Sequence, residues 1–191
     1  MKPTEENLSA QQSLDLISSM IRQAKGNMQN NSFHFLLWGW TIAIANIGVY
    51  VMLKFSDIKE PFFMFSITIP AAVVSMVYGA RQGRKAKTST MLDQINMWMW
   101  ISFGITCFIL AIFGPKMNRQ INPVIITMCA APTFLSGIML RFKPLKIGGL
   151  VFWALGVVSF LVDGETQFLL AAIAVVFGYL VPGYLLKKSE G

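Results

Sequence analysis

Apolar residues run along this chain in blocks close to twenty long, set apart by short polar stretches. Six blocks stand out, at 33–53, 61–80, 95–114, 123–140, 147–162 and 167–186, and none contains an Asp, Glu, Lys or Arg. At 1.5 Å per residue, about twenty helical residues cross the roughly 30 Å hydrocarbon layer of a bilayer. The pattern therefore predicts an all-α, polytopic integral membrane protein with six transmembrane helices. A helix satisfies its own backbone hydrogen bonds in lipid, and the alternating ten-residue strands of a membrane barrel are missing. The fifth block, at sixteen residues, is short and calls for local thinning or help from its flanks.

Block edges carry helix-terminus chemistry. Asn122-Pro123 reads as an N-cap followed by proline at the first helical position, and Glu60-Pro61 resembles it. Thr90-Met91-Leu92-Asp93 has capping-box spacing ahead of the third block. Residues 1–32 are polar overall and without the short apolar core of a cleavable signal, but 9–25 predicts an amphipathic helix. Leu14, Leu16, Ile17, Met20, Ile21, Ala24 and Met28 share one arc, opposite Asp15, Ser18, Ser19 and Arg22. Such a segment lies in the interface, covers the bundle or docks a partner; Leu14, Ile17, Met20 and Ile21 are its candidate contacts. The chain then divides into a cytoplasmic segment 1–32, a membrane domain 33–186 and a cytoplasmic tail 187–191.

Composition agrees with the membrane reading. Of 191 residues, 54% are hydrophobic and 13% charged, about half the charge of ordinary soluble domains. The net charge of +7 would suggest nucleic acid in a soluble protein, but here the distribution explains it. Twelve Lys and Arg fall in the N-terminal segment, the loops at 81–87 and 141–146, and the tail; Lys54, Lys59, Lys116 and Arg119 fall on the other side. That bias predicts a multi-pass membrane protein with both termini in the cytoplasm, and it accounts for the excess charge without a nucleic-acid partner. Arg81, Arg84, Lys85 and Lys87 are also candidate contacts for anionic lipid.

Chemistry is sparse. His34 is the single histidine, at the mouth of the first block, and reads as an interfacial residue. No carboxylate lies in any block, and Ser102 and Ser136 have no base at comparable depth, so no catalytic, cofactor or metal residue is assigned. A coupling charge for ion-driven transport is absent as well. The mild polar groups Asn46, Thr68, Ser75, Thr106 and Thr127 can close interhelical hydrogen bonds. Cys107 and Cys129, at similar depth in consecutive blocks, read as small buried hydrophobes.

Several signals concern packing. Small residues recur at four-residue spacing in Gly39 and Ala43; Ala71, Ser75 and Gly79; Thr133 and Gly137; and Ala174 and Gly178. Pro70, Pro132 and Pro182, in the even-numbered blocks, are candidate helix kinks, each freeing a carbonyl four residues back. Trp38, Trp40, Trp98 and Trp100 read as an interfacial belt. A spacing of 62 residues relates Trp38 to Trp100, Lys54 to Lys116, Pro70 to Pro132 and Arg81 to Lys143, the pattern of repeated helical hairpins, with Trp153 and Pro182 as third copies at a shorter spacing.

The stretch Pro132-Thr133-Phe134, Gly137, Arg141-Phe142-Lys143-Pro144, Gly148-Gly149, Phe152-Trp153 and Leu180-Val181-Pro182-Gly183 resembles an uncharacterised group of small six-span membrane proteins of Bacteroidota. Leu16-Ile17, Met20-Ile21, Ala24-Lys25 and Leu37-Trp38-Gly39 are similar as well. The resemblance covers nearly the whole chain, implies a bacterial inner membrane, and supplies no functional residue. The expectation is a non-enzymatic accessory or sensory subunit acting through membrane lipids and another protein or a second copy. The alternative is a passive or lipid-handling transporter built on the proline-kinked even helices.

Overall fold

In the computed structural model, residues 31–56, 58, 60–85, 91–116, 120–162 and 164–190 are described. Among them, six helices are long and apolar enough to cross a membrane: Ser32–Phe55, Pro61–Arg84, Met91–Phe113, Ile121–Met139, Lys143–Phe160 and Thr166–Ser189. The protein is all-helical, with no strand among the described residues. Helix α1 covers Asn31–Phe55; a 3₁₀ helix, Pro61–Ile67, leads into α2 (Thr68–Lys85). Then come α3 (Met91–Phe113), α4 (Ile121–Met139) and α5 (Lys143–Phe160). The sixth span is α6 (Thr166–Val175), one π-helical turn (Val176–Leu180) and α7 (Val181–Glu190).

Four spans make the core. Its buried side chains include Phe35 and Ala43 of α1, Ile126, Cys129 and Ala130 of α4, Leu145 and Phe152 of α5, and Ala171, Ala174, Val175 and Tyr179 of the sixth span. Between α4 and α5 the helices meet backbone to side chain at three levels. A Cβ on Gly137 would lie 2.6 Å from the Lys146 amide nitrogen, and one on Gly149 2.9 Å from Cα of Phe134. One on Gly156 would collide with Thr127. The two numbers in each pair add to the same total, so all three contacts belong to one antiparallel register. Gly148 meets the carbonyl of Gly178 on the sixth span, 2.6 Å from where its Cβ would stand. Lipid tails are as apolar as the side chains, so such close approach, rather than hydrophobic drive, holds the helices together.

The other two spans are peripheral. α3 has no buried residue, and the second span buries only Pro61 and Ala71. The second span packs on α1, and α3 packs on α4. Gly79, Gly83 and Gly104, on α2 and α3, have open space where a Cβ would go. The small-residue rows thus divide: Gly39, Ala43, Thr133, Gly137, Ala174, Gly178 and Ala71 are buried, while Gly79 is exposed.

Several boundaries differ from the sequence reading: the second span runs on to Lys85, α3 starts at Met91, the sixth span ends at Glu190, and both ends of the α4–α5 pair move. α4 starts at Ile121 with Gln120 before it and no side-chain cap, so Asn122 sits inside the first turn. Its amide instead donates to Asn46 Oδ1 on α1 at 3.4 Å, a tertiary partner displacing the local cap. α5 begins at Lys143, four residues early, because Pro144 occupies the first turn, where a missing N–H removes no bond. The α4–α5 connection therefore shrinks to Leu140, Arg141 and Phe142. It closes by Phe142 N–H donating to the Gly137 carbonyl and Arg141 N–H to that of Ile138, with Arg141 left-handed at φ 51°. That is a Schellman turn with arginine where glycine is usual.

Candidate functional site

Hydroxyls on the even spans gather polar partners from the odd ones. In the first hairpin, Trp38 Nε1 donates to Ser75 Oγ at 3.4 Å, and His34 Nδ1 lies 2.9 Å from the same oxygen. In the second hairpin, Trp100 Nε1 donates to Ser136 Oγ at 3.0 Å, and Ser136 Oγ donates to Asn96 Oδ1 at 2.8 Å. In each, the polar residue precedes the tryptophan by four, one helical turn, and both reach a single serine on the following span. The 62-residue spacing of Trp38 and Trp100 extends to His34 and Asn96, while the two serines lie 61 apart. The third hairpin does not continue the pattern: Trp153 packs against the ring of Phe134 instead.

These contacts correct the belt reading. Trp40 and Trp98 are exposed, as an interfacial belt requires, but Trp38 and Trp100 turn inward. The Trp100 ring meets Phe35, Phe103 and Tyr179, with centroids 6.1, 5.7 and 6.0 Å away. With the partly buried Phe103, it pegs α3, which has no fully buried residue, to the core. His34 is likewise half-buried, edge-on to Phe33 and Tyr78.

Deeper in, Tyr179 Oη lies 2.6 Å from Cys129 Sγ and accepts from Thr133 Oγ1 at 3.4 Å, all three buried. Tyr179 belongs to the π-helical turn that precedes Pro182. Pro182 has no N–H for the Gly178 carbonyl, and the wider turn accommodates its ring. Cys107 is half-buried, and neither cysteine is in a disulfide. Pro132 lies buried inside α4; Pro70 is exposed in the first turn of α2, just after the 3₁₀ helix. The mild polar groups mostly bond within their own helices: Thr106 to the Ser102 carbonyl, Thr127 to Pro123, Thr68 to Phe65, and Asn46 Nδ2 to Ile42. Among the described residues, no three His, Cys, Asp or Glu side chains gather as a metal site would need.

A lateral groove of about 690 Å³ opens between the first and second spans. Leu37, Thr41 and Ile44 form one wall, and Ile67, Pro70 and Val74 the other. Ser32, Tyr78 and Lys187 line the end where α1 begins and α7 finishes. Trp40, also in the wall, donates through Nε1 to Tyr184 Oη at 3.0 Å, tying α7 to α1 one turn before Lys187. Arg81 lines a smaller adjoining hollow with Val73, Val74, Val77 and Tyr78. Arg84 is exposed at the end of α2; Lys87 and the stretch holding Leu14, Ile17, Met20 and Ile21 lie outside the described residues.

Compared with known proteins, the chain matches no protein-family model, no curated protein and no solved structure.

Proposed function

We propose that this is a non-enzymatic accessory or sensory subunit of a bacterial inner membrane, with both termini cytoplasmic, acting by binding another membrane protein. The observation that supports it is the state of α3. This helix is pegged to the bundle by Trp100 and Asn96 through Ser136, yet none of its residues is buried. Trp98, Ile101, Ile105, Phe108 and Ile112 are all exposed on it, at alternating three- and four-residue spacing. That spacing forms one seam, the arrangement by which a helix receives knobs from a neighbouring helix. The partner is thus a protein with a membrane helix of its own, and the N-terminal amphipathic segment supplies a cytoplasmic contact through Leu14, Ile17, Met20 and Ile21.

Orientation rests on the charge bias of the loops. The transport alternative needs a path through the even helices, and the close glycine contacts among α4, α5 and the sixth span favour the subunit reading instead.

Native mass spectrometry of the protein extracted gently from its own membrane tests this. The expected result is a stoichiometric protein partner, lost when Ile105 and Phe108 are both changed to alanine or when Leu14, Ile17 and Ile21 are made polar. Recovery of the chain with no protein partner, alone or as a homo-oligomer, overturns the reading whether or not phospholipid is bound, and a defined non-phospholipid small molecule on it favours transport.

A further inference from the structure

We propose that the groove between the first and second spans is a binding site for one anionic phospholipid, with an acyl chain between the helices and the phosphate at Lys187. The groove has the length for it. From Ser32 to Ile44 is twelve residues of helix, about 18 Å, close to one leaflet of a hydrocarbon layer roughly 30 Å thick. The charge lies at one end and the rest is mainly apolar, the Thr41 hydroxyl being turned back to the Leu37 carbonyl of its own helix. Ser32, Tyr78 and the exposed ammonium of Lys187 stand at the terminal end, and Ile44 and Ile67 stand at mid-membrane. A phospholipid has the same layout, with a charged phosphate at the surface and a chain reaching the midplane.

Charge selects the class of lipid. Lys187 brings a point cation to the mouth, and Arg81 stands in the adjoining hollow, sharing Tyr78 and Val74 with the groove. Both favour a headgroup with net negative charge over a zwitterionic one. The two walls meet at the mouth, where the Tyr78 ring stacks on that of Phe33 with centroids 3.9 Å apart. The second span enters as a 3₁₀ helix and carries Pro70 in the first α-helical turn, and only Ala71 of the groove-facing stretch is buried. The site uses no residue of the α3 seam, so either proposal can fail without the other.

The test is native mass spectrometry of the purified full chain in detergent, with equal amounts of phosphatidylglycerol and phosphatidylcholine added. The expected wild-type result is one phosphatidylglycerol retained in preference to phosphatidylcholine. Lys187→Gln lowers phosphatidylglycerol retention roughly fivefold and leaves phosphatidylcholine unchanged. Ile44→Trp fills the groove from its exposed wall and removes both lipids; Val74→Trp, on the opposite wall, does the same should Ile44→Trp lose the wild-type circular dichroism spectrum. An unchanged lipid ratio in Lys187→Gln overturns the headgroup assignment. Undiminished lipid retention in a folded groove-filling variant, or a lipid-free dimer in its place, overturns the site.

Discussion

Replacing Gly149 by alanine adds one methyl group where α5 has no room for it. The new Cβ would stand 2.6 Å from Cβ of Phe134 and 2.9 Å from both its Cα and its amide nitrogen. Favourable carbon contacts lie near 3.5–4.0 Å, so the shortfall is about 0.6–1.4 Å. Two of the three atoms are backbone, and no rotamer of Phe134 relieves them. The helices must separate, and because Gly137 against Lys146 and Gly156 against Thr127 share that register, separation loosens all three levels. Overpacking of this kind costs about 1–3 kcal/mol. Alanine also gains about 1 kcal/mol of helix propensity over glycine, which masks part of the loss. Gly104→Ala on α3 carries the same gain with nothing within 4 Å, so it isolates the packing effect. Thermal unfolding followed by circular dichroism in lipid nanodiscs compares the two. At about 2–4 °C per kcal/mol for a chain of this size, Gly149→Ala melts about 2–12 °C below Gly104→Ala. Equal midpoints refute the argument that glycine-mediated approach holds α4 to α5.

Two further outcomes follow from the hydrogen bonds and the backbone. Trp100→Phe keeps most of the ring but removes the donor to buried Ser136, a loss of about 0.5–1.5 kcal/mol, and Trp38→Phe, whose bond is longer, loses less. The same melting assay shows Trp100→Phe as the less stable of the two, and the reverse order contradicts the role of Trp100 as the peg of α3. Arg141→Gly removes the left-handed penalty of a Cβ-bearing residue, about 1 kcal/mol, and raises the midpoint, whereas Arg141→Ala retains that penalty. An equal rise in both variants would assign the effect to the lost charge instead.

Hydropathy alone located six spans, because a segment crossing lipid must be apolar over its full length whatever it packs against. The positions that escaped are those decided by a partner distant in sequence. Trp100 carries the composition of an interfacial residue, and only Ser136, on the next span, turns it inward. Asn122 has the local signature of a cap, yet Asn46 on α1 takes its amide. The hairpin repeat was visible in the tryptophans, but its serine partners are 61 rather than 62 apart, so residue matching at a fixed offset passes over them. Pro144 shows the opposite case: proline in a first turn is legible chemistry, but the lysines around it made 143–146 look like loop. The groove had no sequence signal, since it arises from how far the second span stands from the first.

The central claim is that α3 presents its outer seam to another membrane protein. Photo-crosslinking residues placed at Ile105 and Phe108, with Leu150 on the exposed face of α5 as the control position, test it in intact cells. The account predicts one discrete protein adduct from positions 105 and 108 and none from 150. Lipid adducts alone, or the same protein adducts from all three positions, would contradict it.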